Sequence, residues 1–205
     1  MRISKEIRKK IKSKSGICLD VGCGENKQKY FVGLDKRKVP GVDIIHDVEI
    51  FPWPIPDKCC NKILLSHLWE HIKPWLSIDF MNECWRVMKL EGQLLISTPY
   101  ATSHGYYQDP THINPMNETT PTYFDPAFYL WCIYKPKPWK IVRNAWMQNG
   151  NMEVILERRE EKETDSILYR PAPSPAYIKE VAKNLKEHKV LRDVAKKILS
   201  KEKKR

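Results

Sequence analysis

The tightest constraint on how this chain folds is the run Leu19-Asp20-Val21-Gly22-Cys23-Gly24, with Phe31-Val32-Gly33-Leu34-Asp35 close behind it. A short apolar run ending in a Gly-x-Gly turn, then a second ending in an acid, is the pattern of adjacent strands in an open α/β sheet. Ligands of such sheets bind beyond the carboxyl ends of the strands. Glycine there lets the backbone approach a ligand where a side chain would collide. An acid at the tip of the next strand can accept both hydroxyls of a ribose. The pair therefore predicts a nucleoside-binding site. Position 27 is Lys, where a dinucleotide fingerprint has its third glycine. Only residues 22–30 separate the two runs, and a parallel crossover needs about a dozen residues or more. The first helix is thus expected to shrink to a single turn or a tight loop.

Hydrophobic periodicity supplies the remaining elements. Ile3, Ile7 and Ile11 recur every four residues and mark a short amphipathic helix among lysines. Strands are expected at 17–21, 30–35, 42–46, 61–66 and 93–97. Residues 51–56 hold three prolines, which excludes helix or central strand there. Pro74 suits the first turn of a helix reaching about residue 90, with Gly92 near its end. Residues 100–126 form a long loop rich in Tyr, His, Asn, Thr and Pro, a length uncommon without a functional reason. Residues 125–132 suggest a short helix. Residues 139–147 and 151–158 read as two strands joined near Asn149-Gly150, the strongest short hairpin signal. The expected organisation is a basic N-terminal helix (1–15), a core domain (16–160), a Pro-rich linker (161–175), and a basic amphipathic helix and tail (176–205).

Five motifs, in order, resemble those of the class I S-adenosylmethionine (SAM) methyltransferases. Leu19 to Gly24 matches their first motif. Asp35 matches the acid at the end of the second strand. Asp47, in His46-Asp47-Val48, matches the acid that reaches the adenine amino group. His67-Leu68-Trp69-Glu70-His71 is similar to a His-x-Leu-Glu-His phrase after the fourth strand, and Asp109-Pro110-Thr111-His112 resembles a phrase of small microbial and phage-type members. The resemblance covers about residues 17–158. It implies a Rossmann-like, doubly wound sheet, mostly parallel with an antiparallel final hairpin strand, to which the periodicity adds the N- and C-terminal amphipathic helices.

The resemblance also implies the chemistry. The cofactor is SAM and its product S-adenosylhomocysteine. The implied cofactor-binding residues are Asp20, Gly22, Cys23, Gly24, Asp35, Asp47, Val48, Ser66 and His67. The cofactor supplies the leaving group, so the protein mainly positions the acceptor and removes its proton. Catalytic candidates are His67, at the tip of the fourth strand, with Tyr100, Asp109 and His112 in the loop covering the acceptor. Glu70 and His71 are assigned a structural role, and Asp20 the ordering of the glycine turn. The acceptor, an O- or N-nucleophile, is not identified by the sequence, and neither is the oligomeric state.

Other chemistries fit less well. His67-x-x-Glu70-His71 also matches an inverted zinc-peptidase signature, but it directly follows a strand and Pro74 comes three residues later. That leaves little room for one helix to present both histidines. The six cysteines (18, 23, 59, 60, 84 and 132) lack paired metal spacing. No metal is expected, and free thiols in a reducing cytoplasm are. The Asn/Asp-Pro-Pro phrase of amino-methylating DNA enzymes and the Pro-Cys nucleophile of cytosine-C5 enzymes do not occur.

Charge falls at the ends. The net charge is +11; residues 1–15 hold seven Lys/Arg against one acid, and residues 171–205 eleven against four, so the core is near neutral. A solvated lysine-rich face is the favoured reading, and nucleic-acid binding the other. No run approaches about 18 apolar residues, so no membrane span is expected. A non-catalytic module that keeps the SAM pocket and docks through its basic ends is the alternative to an enzyme.

Overall fold

The computed structural model describes residues 5–161. The basic helix expected at 176–205, and the linker before it apart from Glu161, lie outside the described residues.

The helix α1 (Lys5–Ile11) buries Ile7 and Ile11, one turn apart, and leaves Arg8, Lys9 and Lys10 to solvent. The strands β1 (Ile17–Val21) and β2 (Val32–Asp35) follow, both almost wholly buried. Burial on both faces is what a central parallel strand requires, and it explains why these runs are continuous rather than alternating. No helix joins them, so the short crossover expected from the spacing is a turn and loop. The strand β3 is brief (Ile44–Ile45), and β4 spans Cys60–Ser66.

Next comes α2 (Ser77–Val87), preceded by a 3-10 turn at Pro74–Leu76. It buries Phe80, Met81, Cys84 and Val87, an apolar stripe of helical period. A fully buried side chain such as Phe80 contributes about 1.5–3 kcal/mol. The same helix pins the proline segment. Glu83 accepts from the Trp53 N–H, Arg86 donates to the carbonyls of Trp53 and Ile55, and the Trp53 ring meets Phe80 edge-on at 5.6 Å.

The helix ends sooner than its sequence suggests, and the fifth strand is longer. β5 runs Met88–Pro99 rather than 93–97. Met88 is fully buried and pairs with Cys60, while Gln93 pairs with Lys62. Four residues are therefore accommodated in a bulge, with Glu91 at φ +60°. The Met88 carbonyl also accepts from the buried Arg158 guanidinium. These tertiary pairings override a helical pattern that local sequence supports to residue 90.

The long loop carries α3 (His104–Tyr107) and a 3-10 turn at Thr120–Tyr123, and the short helix expected at 125–132 falls later, as α4 (Trp131–Tyr134). The Ser103 hydroxyl caps α3 by accepting from the Tyr106 N–H. The strands β6 (Trp139–Trp146) and β7 (Asn151–Arg158) form the expected hairpin, with Gly150 at φ +87° in its turn.

The sheet has seven strands in the order β3-β2-β1-β4-β5-β7-β6, the first five mutually parallel and β7 antiparallel to both its neighbours, β5 and β6. The chain builds outward from β1 to β3, then returns to place β4 on the other side of β1. The β1/β4 junction is thus the point where strand order reverses, the place where such sheets hold ligands. Among the described residues no helix is long and apolar enough to cross a membrane.

Candidate functional site

A cavity of about 520 Å³ opens at that reversal point. Gly22 reaches it from the end of β1, Asp35 and Arg37 from β2, Asp47 and Val48 from β3, and His67 from β4; His71 and Thr111 complete one wall. Five of the sequence-derived residues (Gly22, Asp35, Asp47, Val48 and His67) therefore meet, each held by the strand it terminates.

Gly22 is at φ +72°, and a Cβ there would sit 2.7 Å from Leu68 Cδ1. Its N–H donates to the Leu34 carbonyl at 2.7 Å, tying the turn to β2. Asp35 is nearly buried. Its Oδ2 accepts from the Gly24 N–H at 2.9 Å, and its Oδ1 from the Arg37 N–H at 2.8 Å and Nε at 3.2 Å. Burial pushes the Asp35 carboxyl up, but the bonds from Arg37 and Gly24 outweigh it and hold the group below its ordinary value. Asp35 is an anion at neutral pH, with acceptor capacity facing the cavity.

Asp20, Cys23, Gly24 and Ser66 do not line the cavity. Asp20 Oδ2 accepts from the Gln28 N–H at 2.7 Å and so fixes the loop that replaces a helix. Burial raises its carboxyl above the ordinary value despite that bond and the Lys27 charge. Cys23 is buried, and burial with the charges of Asp20 and Asp35 pushes its thiol up to about 11. Gly24 acts through its N–H on Asp35. Ser66 is exposed at the end of β4.

Below β4 the geometry centres on Glu70, which is fully buried. Its Oε2 accepts from the Thr98 hydroxyl at 2.9 Å, and its Oε1 lies 3.2 Å from His67 Nδ1, an ion-pair contact not aligned as a hydrogen bond. Burial pushes the Glu70 carboxyl up, yet His67 and Thr98 hold it below its ordinary value; the same carboxylate raises the His67 imidazole. His67 itself is at φ +52°, a conformation that costs a non-glycine residue about 1 kcal/mol or more and that clusters at functional sites. The Glu70 carbonyl accepts from the N–H groups of Ile113 and Asn114, which ties the long loop to this turn.

That tie brings His112 beside His71, their rings 4.8 Å apart and edge-on. His112 Nδ1 is 2.8 Å from the Tyr106 carbonyl. Asp109 Oδ1 accepts from the N–H and hydroxyl of Thr111, which hold its carboxyl below the ordinary value. Tyr100 stands elsewhere: its hydroxyl donates to Glu118 at 2.9 Å and its ring packs on Trp146. Sequence reasoning set Glu70 and His71 aside as structural, whereas the structure groups both with His112. It also missed Arg37 and Thr111, whose only signals are a basic run and the Asp-Pro-Thr-His phrase.

No family model matches the chain. Over 116 residues it is 28% identical to a probable SAM-dependent methyltransferase of Mycolicibacterium smegmatis, covering 48% of this chain and 44% of that protein. A probable SAM-dependent methyltransferase of Mycobacterium tuberculosis is 28% identical over 115 residues, 48% of this chain and 41% of that one. The chain thus spans less than half the length of the curated relatives it matches. Among solved structures, a SAM-dependent methyltransferase from Archaeoglobus fulgidus superposes with a TM-score of 0.52 at 17% identity, over 75% of this chain and 90% of that one. A variant 16S rRNA (adenine(1408)-N(1))-methyltransferase from Catenulisporales acidiphilia, with cosubstrate SAM, gives 0.52 at 14% identity over 76% and 90%. The architecture is the Rossmann-like fold of class I SAM-dependent methyltransferases. In sequence, this chain is similar to members of that class.

Proposed function

We propose that this chain is a SAM-dependent methyltransferase acting on a hydroxyl or amine acceptor. The observation that carries the reading is the convergence of Gly22, Asp35, Asp47 and His67, from the ends of four strands, on one cavity at the reversal point of the sheet. Its volume lies in the range of small-molecule sites. The residues fit the cofactor. Gly22 leaves open the space a Cβ would fill, and Asp35 is a buried anion at the tip of β2. When bound, SAM supplies an activated methyl carbon and its own leaving group.

The chain's residues do the rest. Asp35 accepts the ribose hydroxyls, sharing its carboxylate with Arg37. Asp47 receives the adenine amino group and Val48 the adenine face. Asp20, Cys23 and Gly24 shape the turn, and His67 borders the methionine moiety; Ser66, outside the cavity lining, is assigned no contact. His112 and Asp109 stand on the acceptor side. The His112 Nδ1–H is committed to the Tyr106 carbonyl, so in the neutral ring the lone pair is on Nε2. Tyr100, engaged with Glu118, is assigned no step.

Calorimetry with SAM and S-adenosylhomocysteine tests the cofactor assignment. Folded wild-type protein that binds neither overturns it. Transfer of a radiolabelled methyl group is then screened across sugars, small metabolites, lipids, peptides and RNA. RNA is included because one structural neighbour is an rRNA methyltransferase. SAM binding without transfer to any class would favour the non-catalytic binding module.

A further inference from the structure

We infer that Glu70, His71 and His112 form a site for a divalent first-row transition-metal ion in the wall of the cofactor cavity. The three residues come from two places in the chain, the turn after β4 and the loop after β5. Each offers one ligand atom, and these atoms lie within 4.8 Å of one another. Ligands bonded at about 2.0–2.2 Å sit about 3–4 Å apart, so a small side-chain rotation closes the cluster on an ion.

The hydrogen bonds around the two imidazoles fix which nitrogens are free. The Thr111 hydroxyl has one proton, and it goes to Asp109 Oδ1 at 2.7 Å. The same hydroxyl lies 3.1 Å from His71 Nδ1, which must therefore be the donor. His112 Nδ1, 2.8 Å from the Tyr106 carbonyl, must also donate. In the neutral form each ring then keeps its lone pair on Nε2. Histidine ligands have this arrangement, with one nitrogen oriented by an oxygen acceptor and the other offered to the metal.

The carboxylate supplies an independent observation. Glu70 is fully buried, and its Oε1 accepts no aligned hydrogen bond among the described residues. A buried carboxylate needs a cationic partner, and each of its oxygens has two lone pairs, so Oε1 keeps one for an ion beside its first contact. His67 touches it as an ion pair from the cavity side. Two imidazoles and one carboxylate with open positions suit a divalent transition ion better than an all-oxygen magnesium or calcium cage. Asp109 Oδ2, 3.8 Å from His112 Nε2, stands at the rim. This set differs from a zinc-peptidase helix, because the second histidine comes from the distant loop.

The site stands on its own geometry; its use in methyl transfer rests on the function proposed above. His71 and Thr111 line the same cavity as Gly22 and Asp35. An ion held there would take an acceptor oxygen in an open position and favour loss of its proton.

The test uses the full chain stripped with a chelator and titrated with Mn2+, followed by loss of the free-ion EPR signal, and with Zn2+ by calorimetry. Wild type should bind one equivalent of at least one of these ions. His71→Ala and His112→Ala should each weaken it by at least tenfold, with folding checked by circular dichroism. His71 is exposed, so that variant keeps the test valid if the His112 variant does not fold. The double variant reads any background at the cysteines. Binding of neither ion by wild type, or unchanged binding in folded His71→Ala, overturns the site. SAM affinity measured on the same samples separates the two readings: SAM binding without the ion removes the site alone, and ion binding without SAM removes the methyltransferase reading alone.

Discussion

The backbone N–H of Gly24 donates to Asp35 Oδ2 at 2.9 Å. One hydrogen bond thus joins the glycine turn after β1 to the acid that ends β2, and the two halves of the cavity are set by each other. Arg37 completes the arrangement by donating its backbone N–H and Nε to Asp35 Oδ1.

Asp35→Ala removes the proposed ribose acceptor together with the partner of Gly24. SAM affinity should fall by about 1.5–3 kcal/mol, the scale of hydrogen bonds to a charged group. Calorimetry checks this. Arg37→Ala should change affinity by much less, because the exposed guanidinium yields its place on the carboxylate to the ribose. If the Arg37 variant loses as much as the Asp35 variant, the arginine itself contacts the cofactor.

The same carboxylate predicts a pH dependence. Asp35 is held below its ordinary value in the folded protein, so the folded state binds its proton less readily than the unfolded state does. Its contribution to stability is fully present above the unfolded value of about 3.9, and it is lost as pH falls through the lower folded value. The Tm difference between wild type and Asp35→Asn should therefore stay level from neutral pH down to about pH 5 and shrink below about pH 4. A difference that grows on acidification would mean that the carboxyl is raised, not lowered.

Gly22→Val meets two obstacles. The residue is at φ +72°, and an added Cβ would lie 2.7 Å from Leu68 Cδ1. Left-handed backbone costs an L residue about 1–2 kcal/mol before any clash. The variant should melt several degrees lower and show no measurable SAM binding. Leu68→Ala in the same chain should recover part of the Tm but not the binding. Full recovery of binding would make Leu68, rather than the backbone approach at Gly22, the obstacle.

Where the sequence was legible, a short-range rule governs. β1 and β2 are buried on both faces and read as continuous apolar runs, and Asn149-Gly150 marks a hairpin by turn chemistry alone. The end of α2 was not legible. Met88 belongs to the sheet because Cys60 and Arg158, distant in sequence, pair with it. The site divides the same way. Strand-tip residues such as Asp35 and Asp47 follow from motif order. The grouping of Glu70, His71 and His112 depends on the Glu70 carbonyl catching the N–H groups of Ile113 and Asn114, a pairing between distant parts of the chain that no local pattern encodes. Arg37 was missed because one basic residue in a Lys-Arg-Lys run carries no signal of its own.

The last prediction concerns the basic end of the chain. Lys201, Lys203, Lys204 and Arg205 lie outside the described residues and beyond the last apolar residues of the sequence, so their charge can be reversed without altering an apolar position. Neutralising a phosphate releases its counterion, so each phosphate a variant leaves unneutralised lowers the slope of log affinity against log salt by about 0.7–0.9. Replacing all four by Glu should leave the Tm and SAM affinity unchanged and reduce any affinity for RNA or DNA only modestly at physiological salt, as expected of a solvated lysine-rich end. Filter binding across a salt series, on wild type and variant together, checks both parts. A tight wild-type complex at physiological salt that the reversal abolishes would reject that reading and put nucleic acid first among the methyl acceptors to be assayed.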